Sequence, residues 1–242
     1  MVNIDTVYQR VLVLANKEQR GYITPQEFNL LANQAQMDIF EQYFYDLNQF
    51  MRAPGNNTNY ADITQLIEEK INIFEEDVEI SGTAVQSANE QDIVVFNLNA
   101  SIPNLYRVDQ VRVYRNGAWR IAEKVTKKQI RLMKGGLLTM PTRHRPAYIM
   151  RGNNSLIDFY HDADFITVDY IRKPLNAKWA WQIINGNQLY DESNSVNFEL
   201  HPSEETKLVI KILALAGITI KDTSVYQIAT AEDNKNIQQE KQ

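Results

Sequence analysis

Apolar residues recur every three or four positions through the first 80 residues, alternate with polar ones from about residue 92 to Pro174, and return to helical spacing after Pro202. A period near 3.6 suits a helix and a period of 2 suits a strand, and neither pattern sits stably on the other backbone. The order helices, strands, helix therefore predicts an α+β fold. A helical bundle, made of the N-terminal helices and a returning C-terminal helix, carries an inserted antiparallel β domain. The predicted boundaries are 1–80 with 200–222 for the bundle, 90–175 for the β domain, 176–199 for an ordered loop and 223–242 for a C-terminal arm.

Local signals sharpen this outline. Residues 4 to 16 place Ile4, Val7, Val11, Leu12 and Leu14 at helical spacing, with Asp5 in the first turn. Thr24, Pro25 and Glu27 form a helix-start signature: a capping hydroxyl, a proline at the first helical position, and a carboxylate that reaches back to the cap. The stripe Phe28, Leu31, Ala32, Ala35, Ile39, Tyr43, Leu47 and Phe50 continues that helix to Pro54-Gly55. Ile63, Leu66, Ile67, Ile71 and Phe74 predict a third helix over 60–78, with Glu68, Glu69, Glu75 and Glu76 on its other side.

In the β domain, Val111 and Val113 alternate with Arg112 and Tyr114, reach Asn116-Gly117, and continue through Trp119 and Ile121. Asn-Gly between alternating segments predicts a two-residue hairpin turn. AYIMR and SLIDFY around Gly152 predict a second pair, and DFITVDYIRKP a further strand. VTKKQIRLM between them predicts a short helix capped by Thr126. After Pro202, Leu208, Ile212, Leu215 and Ala216 form a stripe that should bury against the N-terminal helices.

Composition removes several function classes. The chain of 242 residues is 44% apolar, enough for a good core, and its net charge of −5 does not suit a general nucleic-acid binder. With no cysteine there are no disulfides, thiolate zinc sites or cysteine nucleophiles. MVNIDTVYQR lacks a basic flank followed by an apolar run, and no stretch approaches the ~20 apolar residues of a bilayer span. The expectation is a soluble protein made in the cytoplasm, with no membrane partner.

Catalytic patterns are not found, and no enzyme, cofactor or metal is expected. Gly135-Gly136 is followed by LLTMPT instead of the lysine of a phosphate-binding loop. His144, His161 and His201 are scattered, and His161-Asp162-Ala163-Asp164 reads as a polar turn more readily than as a metal site. The acids Glu75, Glu76, Asp77 and Glu79 read as a solvated helix end and not as an acid/base pair.

Charge distribution is more informative. Residues 1 to 80 hold 13 acids and 5 bases, whereas residues 120 to 151 hold nine bases against the single acid Glu123. Lys124, Lys127, Lys128, Arg131, Arg143 and Arg145 are the candidate interface residues of that basic stretch. A solvated hairpin connection is the bland reading; binding to an acidic protein surface is the functional one. Phe40 and Phe44 widen the apolar stripe of the long helix, and are either core or a subunit contact. In the arm, Val225, Ile228 and Ile237 are the only large aliphatic residues, too few to fold alone, so the arm is expected to dock on another chain.

Three segments, QRGYITPQEFNLLANQAQMDIFEQYF (19–44), DFITVDYIRKP (164–174) and LHPSEETKLVIKILALAGI (200–218), resemble the structural proteins of crAss-like and related short-tailed bacteriophages. These are ring or tail-adaptor subunits that sit below the portal. The element order is also similar to that of tubular tail-adaptor proteins. The resemblance implies a non-enzymatic virion subunit that forms a homo-oligomeric ring, commonly twelve-fold, and binds the portal protein and other tail or ring proteins. DNA would pass through its channel without specific binding. The alternative reading, from the basic stretch 120–151, is a phage DNA-binding or packaging accessory factor.

Overall fold

A computed structural model describes residues 1–17, 23–52, 58–85, 93–115, 117–152, 155–160, 163, 165–184 and 187–219. Along the chain come α1 (Ile4–Lys17), α2 (Pro25–Arg52) and α3 (Thr58–Asn72), then β1 (Glu75–Ser81), β2 (Thr83–Val85), β3 (Ile93–Asn97) and the one-turn α4 (Leu98–Ser101). Next are β4 (Leu105–Arg115), β5 (Ala118–Ile121), β6 (Glu123–Lys124), α5 (Lys127–Lys134), β7 (Ala147–Arg151), β8 (Leu156–Tyr160) and β9 (Phe165–Arg172). The last described elements are β10 (Trp181–Ile184), β11 (Asn187–Tyr190) and α6 (Glu205–Thr219). This is the α+β fold expected, and it divides into two compact units: Phe74–Lys173 is the β unit, and Met1–Ile73 with the chain from Pro174 onward is the helical unit.

In the helical unit, α2 starts at the capping box anticipated from sequence. The Glu27 amide donates to Thr24 Oγ1 at 3.3 Å, and Thr24 N–H donates to Glu27 Oε2 at 2.9 Å. These bonds hold the Glu27 carboxyl below its usual range, the backbone bond contributing most. Phe28, Ala32, Ala35, Ile39, Phe40 and Tyr43 of α2 are buried, as are Leu208, Val209, Ile212 and Ala216 of α6, which packs on α1 and α2. Arg10 of α1 and Glu205 of α6 pair at 2.8 Å. Lys70, in the last turn of α3, reaches Glu204 at 2.5 Å, where the carboxylate is only 4% exposed.

Residues 176–199, expected to be an ordered loop, instead contain the β10–β11 hairpin, paired from Trp181↔Tyr190 to Ile184↔Asn187. The preceding extended segment is held by amide side chains of α2. Asn29 exchanges two bonds with the Trp179 backbone, at 3.1 and 2.8 Å, Asn33 Nδ2 donates to the Ala177 carbonyl at 2.9 Å, and Gln36 Nε2 donates to the Leu175 carbonyl at 2.7 Å. Spaced four and three apart, these residues share one helix face and take the place of a partner strand.

The β unit holds two sheets, ordered β1-β9-β4-β5 and β2-β3-β8-β7-β6. Pairing is antiparallel except for β6 with β7, joined through α5, which is parallel. The chain passes from one sheet to the other at two corners. At Gly82, β1 runs on into β2; at Ala122, whose amide donates to the Val111 carbonyl at 2.8 Å, β5 runs on into β6, where the Glu123 amide takes up the Pro146 carbonyl at 2.9 Å. Both ends of one sheet thus continue into both ends of the other, which shields the edges. Between the sheets lies one core of Ile80, Val94, Phe96, Val111, Val113, Ile157, Phe159, Ile166 and Val168 with their neighbours. Burying side chains of this size contributes roughly 1.5–3 kcal/mol each.

The third helix ends at Asn72 and not at residue 78, and Glu75, Glu76, Asp77 and Glu79 lie on strand β1. The helical period of Ile67, Ile71 and Phe74 hid the switch. Val78 and Ile80 face the core while Asp77 and Glu79 face out, and the pairing Glu75↔Ile171 to Ser81↔Phe165 satisfies the second edge of β9. The β unit accordingly begins near residue 74, earlier than the expected 90.

Candidate assembly surface

The basic stretch separates when folded. Lys124 ends β6, and Lys127, Lys128 and Arg131 lie on α5, whose Thr126–Gln129 capping box fixes its start and whose one buried residue is Ile130. Lys124, Lys127, Lys128, Arg131 and Arg143 are exposed, with no ion pair among the described residues. Arg145 is spent on Glu123, Nη2 to Oε2 at 3.2 Å, and Arg151 on Asp158. Arg120 lies on β5, in the other sheet.

From the last turn of α5 onward the chain puts apolar side chains into solvent. Leu132 is 70% exposed, Leu137 99% and Leu138 97%. The segment is not slack: the Gly136 carbonyl accepts from the amides of Thr139 and Met140, and Thr142 and Arg145 bridge each other. Two neighbouring leucines held out by their own backbone, beside exposed cations, form an amphipathic tip.

The outer face of the four-stranded sheet has the opposite character. Cross-strand pairs Tyr114↔Trp119 and Arg112↔Ile121 lie side by side there, and Tyr114, Trp119 and Ile121 are 45%, 50% and 64% exposed. The Tyr114 and Trp119 rings meet at 5.1 Å, and the Arg112 guanidinium lies 5.2 Å from the Trp119 ring. Toward β1 the face turns acidic. A pocket of about 200 Å³ is lined by Glu75, Asp77, Asp109, Asp169 and Ile171 together with Glu76 and Tyr170, which belong to the core-facing side. Asp109 enters it at a break in the β4–β9 register between Val108 and Gln110.

Two of these acids are neutralised: Asp169 by Arg112, and Glu76 by Arg172, whose Nε lies 2.7 Å from Oε1. Glu76 also accepts from the Tyr170 hydroxyl at 2.9 Å. Burial, then that hydrogen bond, push the Tyr170 phenol up to about 12. Burial and the Asp109 charge push Tyr148 up as well. Asp77 and Asp109 of the pocket, and Glu79 two residues on along β1, have no ion pair among the described residues, so this acidic part of the sheet is suited to a cationic side chain. No group of three or more His, Cys, Asp or Glu among the described residues is arranged to hold a metal ion.

Phe40 is fully buried in the helical unit, and its edge-to-face contact with the half-buried Phe44, at 5.1 Å, is core packing. As an interface candidate Phe40 is therefore corrected. Val225, Ile228 and Ile237, together with His161, Asp162 and Asp164, lie outside the described residues. Sequence reasoning missed Trp119, Tyr114 and Ile121 as surface residues, although their alternation with Val111 and Val113 placed them on the outward side.

Among the described residues no helix is long and apolar enough to cross a membrane. No model of a known protein family matches the chain, and no curated protein matches it either.

Proposed function

We propose that this chain is a non-catalytic structural subunit of a bacteriophage particle, forming a ring that joins the portal to the tail and continues the DNA channel. One observation carries the reading: a single compact unit displays two unlike surfaces, a cationic tip with bare leucines and an acidic face with bare aromatics. Unlike surfaces on one molecule favour head-to-tail contact, which closes into a ring when the rotation per copy permits. The resemblance of three sequence segments to ring and tail-adaptor subunits supports a position for that assembly between the portal protein and the next tail component. Its site of action is then the virion, after synthesis in the host cytoplasm. The arm 223–242, with Val225, Ile228 and Ile237 as its only large aliphatic residues, is assigned to the joint with the adjacent ring or portal.

Imaging the purified assembly down its axis tests the reading. A closed ring with rotational symmetry is expected; a lone monomer or a two-fold dimer overturns it. Salt-sensitive DNA binding that disappears on neutralising Lys127, Lys128 and Arg131 would favour the packaging-accessory reading instead, because phosphate contacts release counterions.

A further inference from the structure

We infer that the leucine tip after α5 of one copy docks on the outer face of the four-stranded sheet of a second copy. The inference rests on the proposed ring and names the contact that builds it. Leu137 and Leu138 are 99% and 97% exposed, so their side chains pack on none of the described residues of their own chain. A held loop of this kind needs an apolar landing site, and Tyr114, Trp119 and Ile121 provide one made of side chains common at the centre of protein interfaces.

The occupant is chosen by charge. Lys127, Lys128 and Arg131 stand just before the leucines, while Asp77 and Glu79 stand on β1, across the sheet from the aromatics, and Asp109 lies farther along β4 from Tyr114, all six without an ion pair among the described residues. Each surface therefore has an apolar part and a charged part, and the charges are opposite in sign. Leucines on aromatics and cations on carboxylates can be satisfied together in one docking pose. An unrelated acidic partner would match the tip alone; a second copy accounts for both surfaces. Because tip and face lie on one unit, each copy offers one of each, and the contact propagates from copy to copy.

Complementation between two variants provides the test. The tip variant carries Leu137→Asp and Leu138→Asp; the face variant carries Trp119→Lys and Asp77→Lys. All four positions are exposed, and circular dichroism checks that both variants keep the wild-type fold. Each variant alone should associate at least about tenfold more weakly than wild type and build no ring. Mixed, they should form a one-to-one complex and nothing larger, because the intact tip of one meets the intact face of the other. The inference is overturned if either variant still forms wild-type rings, or if the mixture stays as dissociated as its components. In the first case the ring stands and a different contact builds it. If wild-type protein never associates at all, the proposed ring falls, and this contact with it.

Discussion

Gly82 sits at the corner where β1 turns into β2, and Gly82→Ala tests whether that corner is as tight as described. A Cβ there would stand 2.3 Å from Val94 Cγ1, and 2.5 and 2.7 Å from Cε1 and Cζ of Phe96. Carbon atoms pack at about 3.5–4.0 Å, so one side must yield by about 1 Å or more. Neither neighbour can swing away, because Val94 is 4% and Phe96 0% exposed, and both belong to the core between the sheets. Overpacking of a close-packed core costs roughly 1–3 kcal/mol, and two rigid neighbours place this case near ~3 kcal/mol. For a unit of this size the melting temperature should fall by roughly 10–20 °C. Hydrogen exchange in the intact chain, followed on β3 and β8, isolates the β unit from the helical one. Val94→Ala removes one of the two obstructions, so the double variant should be less destabilised than the sum of the single variants by about 1 kcal/mol or more. Gly82→Ala exchanging like wild type, or strictly additive effects, would refute the two-cornered closure of the β unit.

Lys70→Met leaves Glu204, 4% exposed, without its cation, and should cost about 3–5 kcal/mol in chemical denaturation. Adding Glu204→Leu should restore most of the loss, and a double variant no better than the single one contradicts the buried pair. Tyr170, with its phenol raised from 10.0 to about 12 mainly by burial and then by Glu76, is favoured in its protonated form by folding. Its contribution is full below pH 10.0 and is lost as pH rises through about 12. The difference in urea midpoint between wild type and Tyr170→Phe should therefore shrink over that range, and a constant difference would refute the assignment.

Legibility from sequence followed the strength of local chemistry. Thr24, Pro25 and Glu27 act within one turn, and the box they form is the one expected. The Arg115↔Ala118 pair closes the hairpin over Asn116-Gly117, and Gly117 has a φ of 77°. The same dipeptide stands in the sequence at Asn185-Gly186, between β10 and β11, but the adjacent Ile183 and Ile184 are both solvent-facing and break the alternation that would mark a hairpin. β1 was hidden because its partner, β9, is some 90 residues away in sequence, and long-range pairing overrode the acidic helical pattern. The amides Asn29, Asn33 and Gln36 look like a solvated helix face until their extended partner is in place. The candidate surface was half legible: the cations formed a visible cluster, whereas the acidic and aromatic face collects residues from β1, β4, β5 and β9 that only sheet pairing brings together.

The central claim is that the protein works by closing into a ring through unlike surfaces, and native mass spectrometry across a concentration series tests it most directly. One discrete high-order species with a fixed copy number is expected. It should dissociate to monomer when Lys127, Lys128 and Arg131 are all changed to Glu, and re-form when that variant also carries Asp77→Lys and Glu79→Lys, because opposite charges again face each other. A chain that remains monomeric, stops at a two-fold dimer, or assembles unchanged after the charge reversal contradicts it.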